Sequence, residues 1–186
     1  MRMPFLVWVI LFIYLLRNTQ ELIRLIPKFE LVSQVVTTDI SSLGIEGYKE
    51  EKESPSKNLE RLRNLLRDRY QFKFPHIILA QILHETGYLK SGVYKECNNL
   101  VGMKPAKYRH WDIGTCRGHA LYKNKSDSLH DYKEFQDRYL PIYERHHLRR
   151  TCRGDEDYYR FLVHVHYAED SLYIKHLQRY VKSFDF

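Results

Sequence analysis

Cysteine is scarce in this chain of 186 residues, which contains only Cys97, Cys116 and Cys152. An odd number permits at most one disulfide within the chain and leaves at least one thiol free. None of the cysteine spacings resembles a zinc site. A disulfide-rich scaffold and a zinc-finger domain are therefore both excluded.

A metal centre is not expected either, although the chain has ten histidines. The closest sets are His146 with His147 and His164 with His166, and adjacent residues on a helix point about 100° apart. No carboxylate or cysteine stands at a spacing that would complete either set. We therefore expect neither a metal site nor another cofactor.

The sequence also lacks the segregated basic surface that is typical of a nucleic-acid-binding protein. Its formal net charge is +7 and its pI is near 9.2, but lysines and arginines are interleaved with acids along most of the chain. The densest basic run, residues 145–150, is typical of a solvated loop or helix end. Attraction to anionic cell-wall polymers is the second interpretation of that run. No nucleic-acid partner is expected.

No apolar run reaches the length of about twenty residues that a membrane-spanning helix needs. Residues Pro4–Leu16 form a run of thirteen, flanked by Arg2 and Arg17. Such a run is typical of the core of a secretory signal, but no Ala-x-Ala-like cleavage site follows it. We therefore interpret residues 1–17 as a signal peptide or signal anchor. The protein would be exported to the periplasm or cell envelope, with residues 4–16 as a possible anchor in the inner membrane.

The rest of the chain divides into two parts and shows no internal repeat. Residues 18–57 are predicted to be an envelope-proximal segment and linker, because their second half combines Gly, Ser and Pro with alternating charges and has no apolar period. Residues 58–186 are long enough for one catalytic domain. Its first helix is predicted over Leu59–Tyr70, with Asn58 as the N-cap. We expect a monomer.

The stretch from Phe74 to Lys104 is the part around which this domain is organised. Pro75 suits the first turn of a helix, and Gly87 suits the position just past its end. Apolar residues fill most positions between them, which predicts a helix that is buried on most sides. Glu85 then lies in its last turn.

The position of Glu85 is unfavourable for a carboxylate. The negative end of the helix dipole and apolar surroundings both disfavour the charged form, so both raise the pKa of this group. A carboxyl group that stays protonated near neutral pH is suited to act as a general acid. The alternative is a glutamate that points into solvent where the helix ends, and the residues alone leave both interpretations open.

Several blocks of sequence resemble the bacterial N-acetylglucosaminidases of glycoside hydrolase family 73. These blocks follow one another in the order that the family shows. They are AQILHETG at 80–87, KS at 90–91, NNLVGMK at 98–104, SLHDY at 128–132 and YAEDSLY at 167–173.

The resemblance implies a lysozyme-like fold and a peptidoglycan hydrolase in which Glu85 is the catalytic acid. The bond cleaved would be the β-1,4 bond between N-acetylglucosamine and N-acetylmuramic acid, and the partner would be the glycan strands of peptidoglycan. A muramidase or a lytic transglycosylase on the same fold is an alternative within the enzyme class. A catalytically silent glycan-binding envelope protein is the alternative from another class.

Residues 105–124 are predicted to form a β-hairpin lobe with Gly114 and Gly118 as turn residues. The family places such a lobe at one wall of the glycan cleft. Its aromatic side chains, including Tyr108, could stack on sugar rings, or they could simply cover the core. The residues that we assign to substrate binding are Asn99, Lys104, Trp111 and Tyr122.

The second catalytic group is not evident, because no acid occurs between Ile113 and Ser126. Glycosidases usually pair the acid with a second carboxylate. Asp112 is the nearest candidate, while Glu96 is expected in the loop before Asn98. Without a placed base, the substrate's own N-acetyl group can assist, and we assign Tyr167 to orient it.

Three further helices complete the prediction. They are Ser126 to about Tyr139, stopped by Pro141; Asp155 to about Val165; and Ser171–Val181. Asp127 and Asp131 are interpreted as residues that cap or stabilise the first of these helices. The expected fold class is α+β, mostly helical, namely a lysozyme-like domain with a small β-hairpin lobe.

Overall fold

The computed structural model describes residues 55–148 and 150–183. It shows a mostly helical domain with one antiparallel two-stranded sheet, so the predicted α+β class with a small hairpin lobe is confirmed. The elements in chain order are α1 (Pro55–Asp68), α2 (Pro75–Glu85), α3 (Gly92–Cys97), β1 (Asp112–Cys116), β2 (His119–Tyr122), α4 (Lys125–Tyr143), a π-helical turn (Glu144–Leu148), α5 (Asp155–His164) and α6 (Tyr173–Ser183).

Helix α2 is the centre of the domain. Every residue from Ile77 to Leu83 is fully buried, and the helix packs against both α1 and α6. Its limits agree with the prediction, since Pro75 is in the first turn and Gly87 follows the end with a φ of +53°. A helix without a polar stripe has no side that it can expose to water, so the rest of the domain packs around it.

Helix α1 begins earlier than predicted. It starts at Pro55, so Asn58 lies inside the helix and is not its N-cap. The first turn therefore occupies residues that the sequence analysis assigned to the linker. The predicted apolar face is present, because Leu59, Leu62 and Leu66 are buried in the core.

The β lobe is a short hairpin with one irregularity. Arg117 and Gly118 form its turn with φ angles of +52° and +75°, so the turn role of Gly118 is confirmed. Gly114 is not a turn residue. It lies within β1 with a φ of +152°, where the register slips between Asp112 and Gly114. A bulge needs backbone angles that glycine adopts without strain, which explains the glycine there.

Several links fasten this lobe to helix α3. Cys97 of α3 forms a disulfide with Cys116 of β1, and Arg117 donates two hydrogen bonds to Glu96, each of 2.8 Å. Glu96 is therefore in a helix, not in the loop where we expected it. The one disulfide agrees with the odd number of cysteines, and Cys152 is the buried free thiol.

Helix α4 does not stop at Pro141. Pro141 lies inside the helix, which continues to Tyr143 and then widens into the π-helical turn. Leu140 and Tyr143 are buried on either side of the proline, so packing keeps this segment helical despite the hydrogen bond that proline removes. The N-cap is Asn124, whose side chain accepts from the backbone N–H of Asp127 at 2.9 Å.

The last two helices lie close to their predicted positions. Helix α5 ends one residue earlier than expected, at His164, and α6 runs from Tyr173 to Ser183 instead of Ser171 to Val181.

The sequence analysis also made predictions about a membrane-spanning helix, a metal site and an N-terminal signal segment. Within the described part of the chain, no helix is long and apolar enough to cross a bilayer, and no three metal-binding side chains come together. The predicted signal segment, residues 1–17, and the segment 18–54 lie outside the described residues.

Candidate active site

Glu85 is the last residue of helix α2, and the turn after it is closed by Thr86. The Thr86 hydroxyl donates to the carbonyl of Ile82 at 2.5 Å and accepts from the N–H of Leu89 at 2.9 Å. Thr86 is itself fully buried. These bonds fix the end of the helix, so the Glu85 side chain leaves the helix at a defined position.

The Glu85 carboxyl group lies against the backbone of Gly102. A Cβ atom built on Gly102 would come within 2.5 Å of Glu85 Oε2, and the φ of this glycine is +69°. No other residue offers both the missing side chain and easy access to that φ. Gly102 therefore leaves room for the carboxyl group at the start of the Gly-Met-Lys segment.

Burial makes this carboxyl group a weak acid. Loss of solvation raises the pKa of Glu85 from 4.5 to about 7, and this effect outweighs the lowering of the pKa by a hydrogen bond from Tyr173 and by the charge of Lys104. Apolar surroundings were expected to raise this pKa, whereas the opposing effects of Tyr173 and Lys104 come from the structure. The protonated form of Glu85 is therefore available near neutral pH.

Tyr173 is a member of the site that the sequence analysis did not single out. It is the first residue of α6, is 4% exposed, and accepts a hydrogen bond of 3.2 Å from the amide of Gln81. Both residues stand in blocks that carry the resemblance, Gln81 beside Ala80 and Tyr173 at the end of YAEDSLY. Their place in those blocks was the signal that could have found them.

Tyr167 is near enough to Glu85 for the charge of that carboxyl group to affect it. Its hydroxyl donates to the backbone carbonyl of Val101, the residue before Gly102. Burial, Tyr173 and the negative charge of Glu85, in that order, raise its pKa well above the usual value. The structure therefore brings Tyr167 and Glu85 together, with the tyrosine proton engaged by the main chain.

Asp112 begins strand β1, where it pairs with Tyr122 of β2. Its charge contributes to raising the pKa values of Tyr122 and Asp131, which places it next to those two side chains. Its neighbourhood is therefore the junction between the β lobe and helix α4.

Comparison with known protein families identifies the family of this chain. The family model described as mannosyl-glycoprotein endo-beta-N-acetylglucosaminidase matches residues 63–186, two thirds of the chain. The chain belongs to the glucosaminidase family. This confirms the resemblance to the glycoside hydrolases of family 73 that the sequence blocks indicated.

The other comparisons add one structure. No curated protein matches this glucosaminidase. Among solved structures, it is similar to the catalytic domain of the autolysin Auto from Listeria monocytogenes. The identity is 20% and the TM-score is 0.48, over 80% of this chain and 92% of that one.

Two residues of the glucosaminidase that we assigned to substrate binding are structural. Asn99 is 1% exposed, and its amide donates to the carbonyls of Met103 and Ala120 while accepting from the N–H of Met103. Tyr122 is also 1% exposed, so its ring cannot stack on a sugar. In the structure both side chains are buried and bonded inside the protein, so neither presents a surface to a substrate.

Tyr122 instead joins the β lobe to helix α4. Its hydroxyl donates to Asp131 at 2.5 Å, and Arg109 donates to the other oxygen of the same carboxylate at 2.7 Å. Asp131 is 1% exposed, so this charge is buried and paired. Asp131 does not cap helix α4; it stabilises the position of the helix by joining it to the β lobe.

The other two predicted binding residues are accessible. Lys104 is exposed, and its positive charge lowers the pKa of Glu85. Its amino group lies 3.4 Å from Nε2 of His119. Trp111 is 38% exposed, and one face of its ring stacks on His130 at 4.7 Å between ring centroids. Tyr108 is 68% exposed. These side chains keep surface that a glycan could contact.

Proposed function

We propose that this protein is a peptidoglycan hydrolase, an endo-β-N-acetylglucosaminidase that cleaves the β-1,4 bond between N-acetylglucosamine and N-acetylmuramic acid. Glu85 is the general acid in this proposal. The observation that carries it is the position of Glu85, a buried carboxyl group at the end of the central helix with a pKa of about 7. Membership of the glucosaminidase family supplies the reaction class.

The chemistry requires one proton at the leaving oxygen. Protonated Glu85 donates it to the glycosidic oxygen as the bond from that oxygen to the anomeric carbon breaks. A general acid is most effective when its pKa lies near the working pH, because it is then protonated and still acidic enough to donate. Burial tunes Glu85 to that range.

The second group in this proposal is the substrate's own acetamido group. Its carbonyl oxygen attacks the anomeric carbon while the glycosidic bond breaks, and a cyclic intermediate forms. Ionised Glu85 then takes a proton from the water that opens the ring. The Tyr167 oxygen, whose proton is already donated to Val101, still has lone pairs and accepts the acetamido N–H.

Two observations favour this route over a base in the β lobe. Tyr167 lies in the electrostatic field of Glu85. Asp112, in contrast, contributes to raising the pKa values of Tyr122 and Asp131, which join the β lobe to helix α4. A two-carboxylate mechanism with Asp112 is the competing arrangement.

We also propose export, from two independent features. The first is the apolar run at residues 4–16 after a basic residue. The second is the disulfide between Cys97 and Cys116, since disulfides persist in oxidising compartments. Residues 1–57 fused to a reporter that works only outside the cytoplasm should give activity. A soluble cytoplasmic reporter would overturn this proposal.

Product analysis tests the bond that is cleaved. Purified peptidoglycan is digested with the protein, and the new reducing ends are reduced with borohydride and identified. New ends on N-acetylglucosamine are expected. Ends on N-acetylmuramic acid, or anhydro products, would indicate a muramidase or a lytic transglycosylase instead. Binding without any new ends would indicate the silent glycan-binding protein.

A further inference from the structure

A chain of hydrogen bonds, most of them buried, leads from the backbone of Lys73 to Tyr173, the tyrosine that interacts with Glu85. It begins at Gln136, whose Oε1 accepts from the Lys73 N–H at 2.9 Å and whose Nε2 donates to the Lys73 carbonyl at 3.3 Å. These two bonds fix which end of the amide is the donor. The same Nε2 donates to the hydroxyl of Tyr158 at 2.9 Å.

In the next two hydrogen bonds, both made by the Tyr132 hydroxyl, only one assignment of donor and acceptor is consistent. The Tyr132 hydroxyl donates to Oε1 of Gln81 at 2.7 Å, and it lies 3.2 Å from the Tyr158 hydroxyl. A tyrosine has one proton to donate, and Tyr132 uses it on Gln81. Tyr158 must therefore donate to Tyr132.

The orientation of the Gln81 amide determines which hydrogen bond Tyr173 receives in the active site. Because its oxygen accepts from Tyr132, its Nε2 is left as the donor, and this group donates to the Tyr173 hydroxyl at 3.2 Å. Tyr173 thus accepts from Gln81 and has its own proton left to donate, and the carboxyl group with which it interacts is that of Glu85. From Gln136 to Tyr173, each donor therefore points in the direction of the active site.

Burial keeps this arrangement unique. Gln81, Tyr132 and Tyr158 are fully inaccessible to solvent, and Gln136 is 2% exposed. A reversed Gln81 amide would set its donor against the Tyr132 proton and leave the Tyr173 oxygen without a donor. Buried polar groups without partners are strongly disfavoured, so the amide is held in one orientation.

We propose that Gln81 is a positioning residue for the general acid: its amide, oriented by Tyr132, turns the Tyr173 proton towards Glu85. The series of hydrogen bonds exists whatever reaction the protein catalyses. The role of Gln81 in catalysis, however, rests on Glu85 being the general acid of the proposed function. Gln81 touches neither substrate nor reacting atoms.

The consequence is a change in how readily Glu85 ionises. The groups that face its carboxyl are Tyr173 from α6, Lys104 from the segment after Gly102, and Tyr167 from the segment after α5. Donation from Tyr173 favours the charged form and lowers the pKa of Glu85, against the effect of burial. Loss of that donation must therefore raise this pKa.

The test is a carbon-13 NMR titration of the full protein labelled at glutamate side-chain carboxyls, with Glu85→Gln used to assign the signal. Tyr173→Phe should move the pKa of Glu85 upward by about half a unit or more. Gln81→Met, which keeps the length of the side chain, should move it in the same direction. The double variant should move it no further than Tyr173→Phe alone, because both act through one hydrogen bond.

Ile78→Val serves as the control, since Ile78 is equally buried in α2 but outside the chain of hydrogen bonds. It should lower the midpoint of thermal unfolding without moving the titration. If Gln81→Met does not fold, Tyr132→Phe replaces it, because that change removes the donor that holds the Gln81 oxygen. A pKa that Gln81→Met and Tyr132→Phe leave unchanged, or shifts that add in the double variant, would overturn the proposal. Retained turnover in Glu85→Gln would instead overturn the proposed function and leave the titration result standing.

Discussion

The carboxyl group of Glu85 occupies the space where residue 102 would otherwise carry a side chain. A Cβ on Gly102 would lie 2.5 Å from Oε2 and 2.9 Å from Cδ of Glu85. Helix α2 and the Asn-Asn-Leu-Val-Gly-Met-Lys segment therefore fit together at this point. The absence of a side chain at residue 102 is as much a part of the site as the carboxyl group itself.

Replacing Gly102 by alanine should damage activity more than stability. A φ of +69° costs alanine about 1 kcal/mol. The new methyl group also displaces the Glu85 carboxyl, and a misplacement of about 1 Å can lower turnover by roughly a hundredfold. The measurement is turnover on purified peptidoglycan together with urea unfolding.

Gly118→Ala is the matched control for that substitution. Gly118 has a φ of +75°, yet nothing lies within 4 Å of the position that a Cβ would take. It should lose similar stability and keep most of its turnover. Equal turnover in the two variants would show that the Glu85–Gly102 contact does not matter for the reaction.

The raised pKa of Glu85 predicts a pH-dependent loss of stability. The unfolded chain ionises this group near 4.5, whereas the folded protein holds the proton until about 7. The folded state binds more protons between these values, so its stability falls as the pH rises through that window. Above pH 7 the wild type should be less stable than Glu85→Gln by about 2–3 kcal/mol, relative to their difference at pH 4.

Urea unfolding of both proteins between pH 4 and pH 8 measures this difference. The two curves should diverge from about pH 4.5 and run parallel above about pH 7. A difference in unfolding free energy that is constant over the whole range would mean that Glu85 ionises normally in the folded protein.

Helix α2 and the place of Glu85 could be predicted because local signals set them. Pro75 fixes the start, Gly87 lies just past the end, and the apolar residues between them require burial on most sides. The position of the carboxyl group in the last turn follows from these limits. The hairpin was also predictable, since Gly118 marks its turn.

The roles of Asn99 and Tyr122 could not be predicted, because they depend on contacts with distant segments. A short hairpin with a bulge does not reveal from its sequence which ring faces the core, and Tyr122 finds Asp131 there. The link between Gln81 and Tyr173 joins residues 92 positions apart. Residue types alone do not define such a contact.

Helices α3 and α4 show two further limits of local signals. Helix α3 has six residues, too few for an apolar period to be visible. In α4 the local signal of Pro141 was present but was overridden, because Leu140 and Tyr143 are held in the core. Tertiary packing therefore decided how far α4 extends.

The account of the second catalytic group predicts unequal effects of two conservative changes. Tyr167→Phe should lower turnover tenfold to a thousandfold, which corresponds to about 1.4–4 kcal/mol for a lost transition-state hydrogen bond. Asp112→Asn should have a smaller effect. Because Tyr167 also bonds to Val101, thermal unfolding must accompany the kinetics. If Asp112→Asn were inactive and Tyr167→Phe near wild type, the two-carboxylate mechanism would replace ours.

The disulfide between helix α3 and the β lobe should contribute substantially to stability. Its cysteines are 19 positions apart, and closing a loop of this size stabilises the folded state by about 3 kcal/mol. Reductant should therefore lower the urea midpoint of the wild type and of Cys152→Ser, but not that of Cys97→Ser with Cys116→Ser. A midpoint that reductant leaves unchanged in the wild type would contradict this contribution.

The central claim is that Glu85 supplies the proton, and the turnover of Glu85→Gln on purified peptidoglycan tests it most directly. The substitution keeps the shape of the side chain and removes only the titratable group, so the fold should survive, as circular dichroism can verify. We predict that release of new reducing ends is abolished in this variant. A folded Glu85→Gln protein that retained as much as about one tenth of wild-type turnover would contradict the assignment.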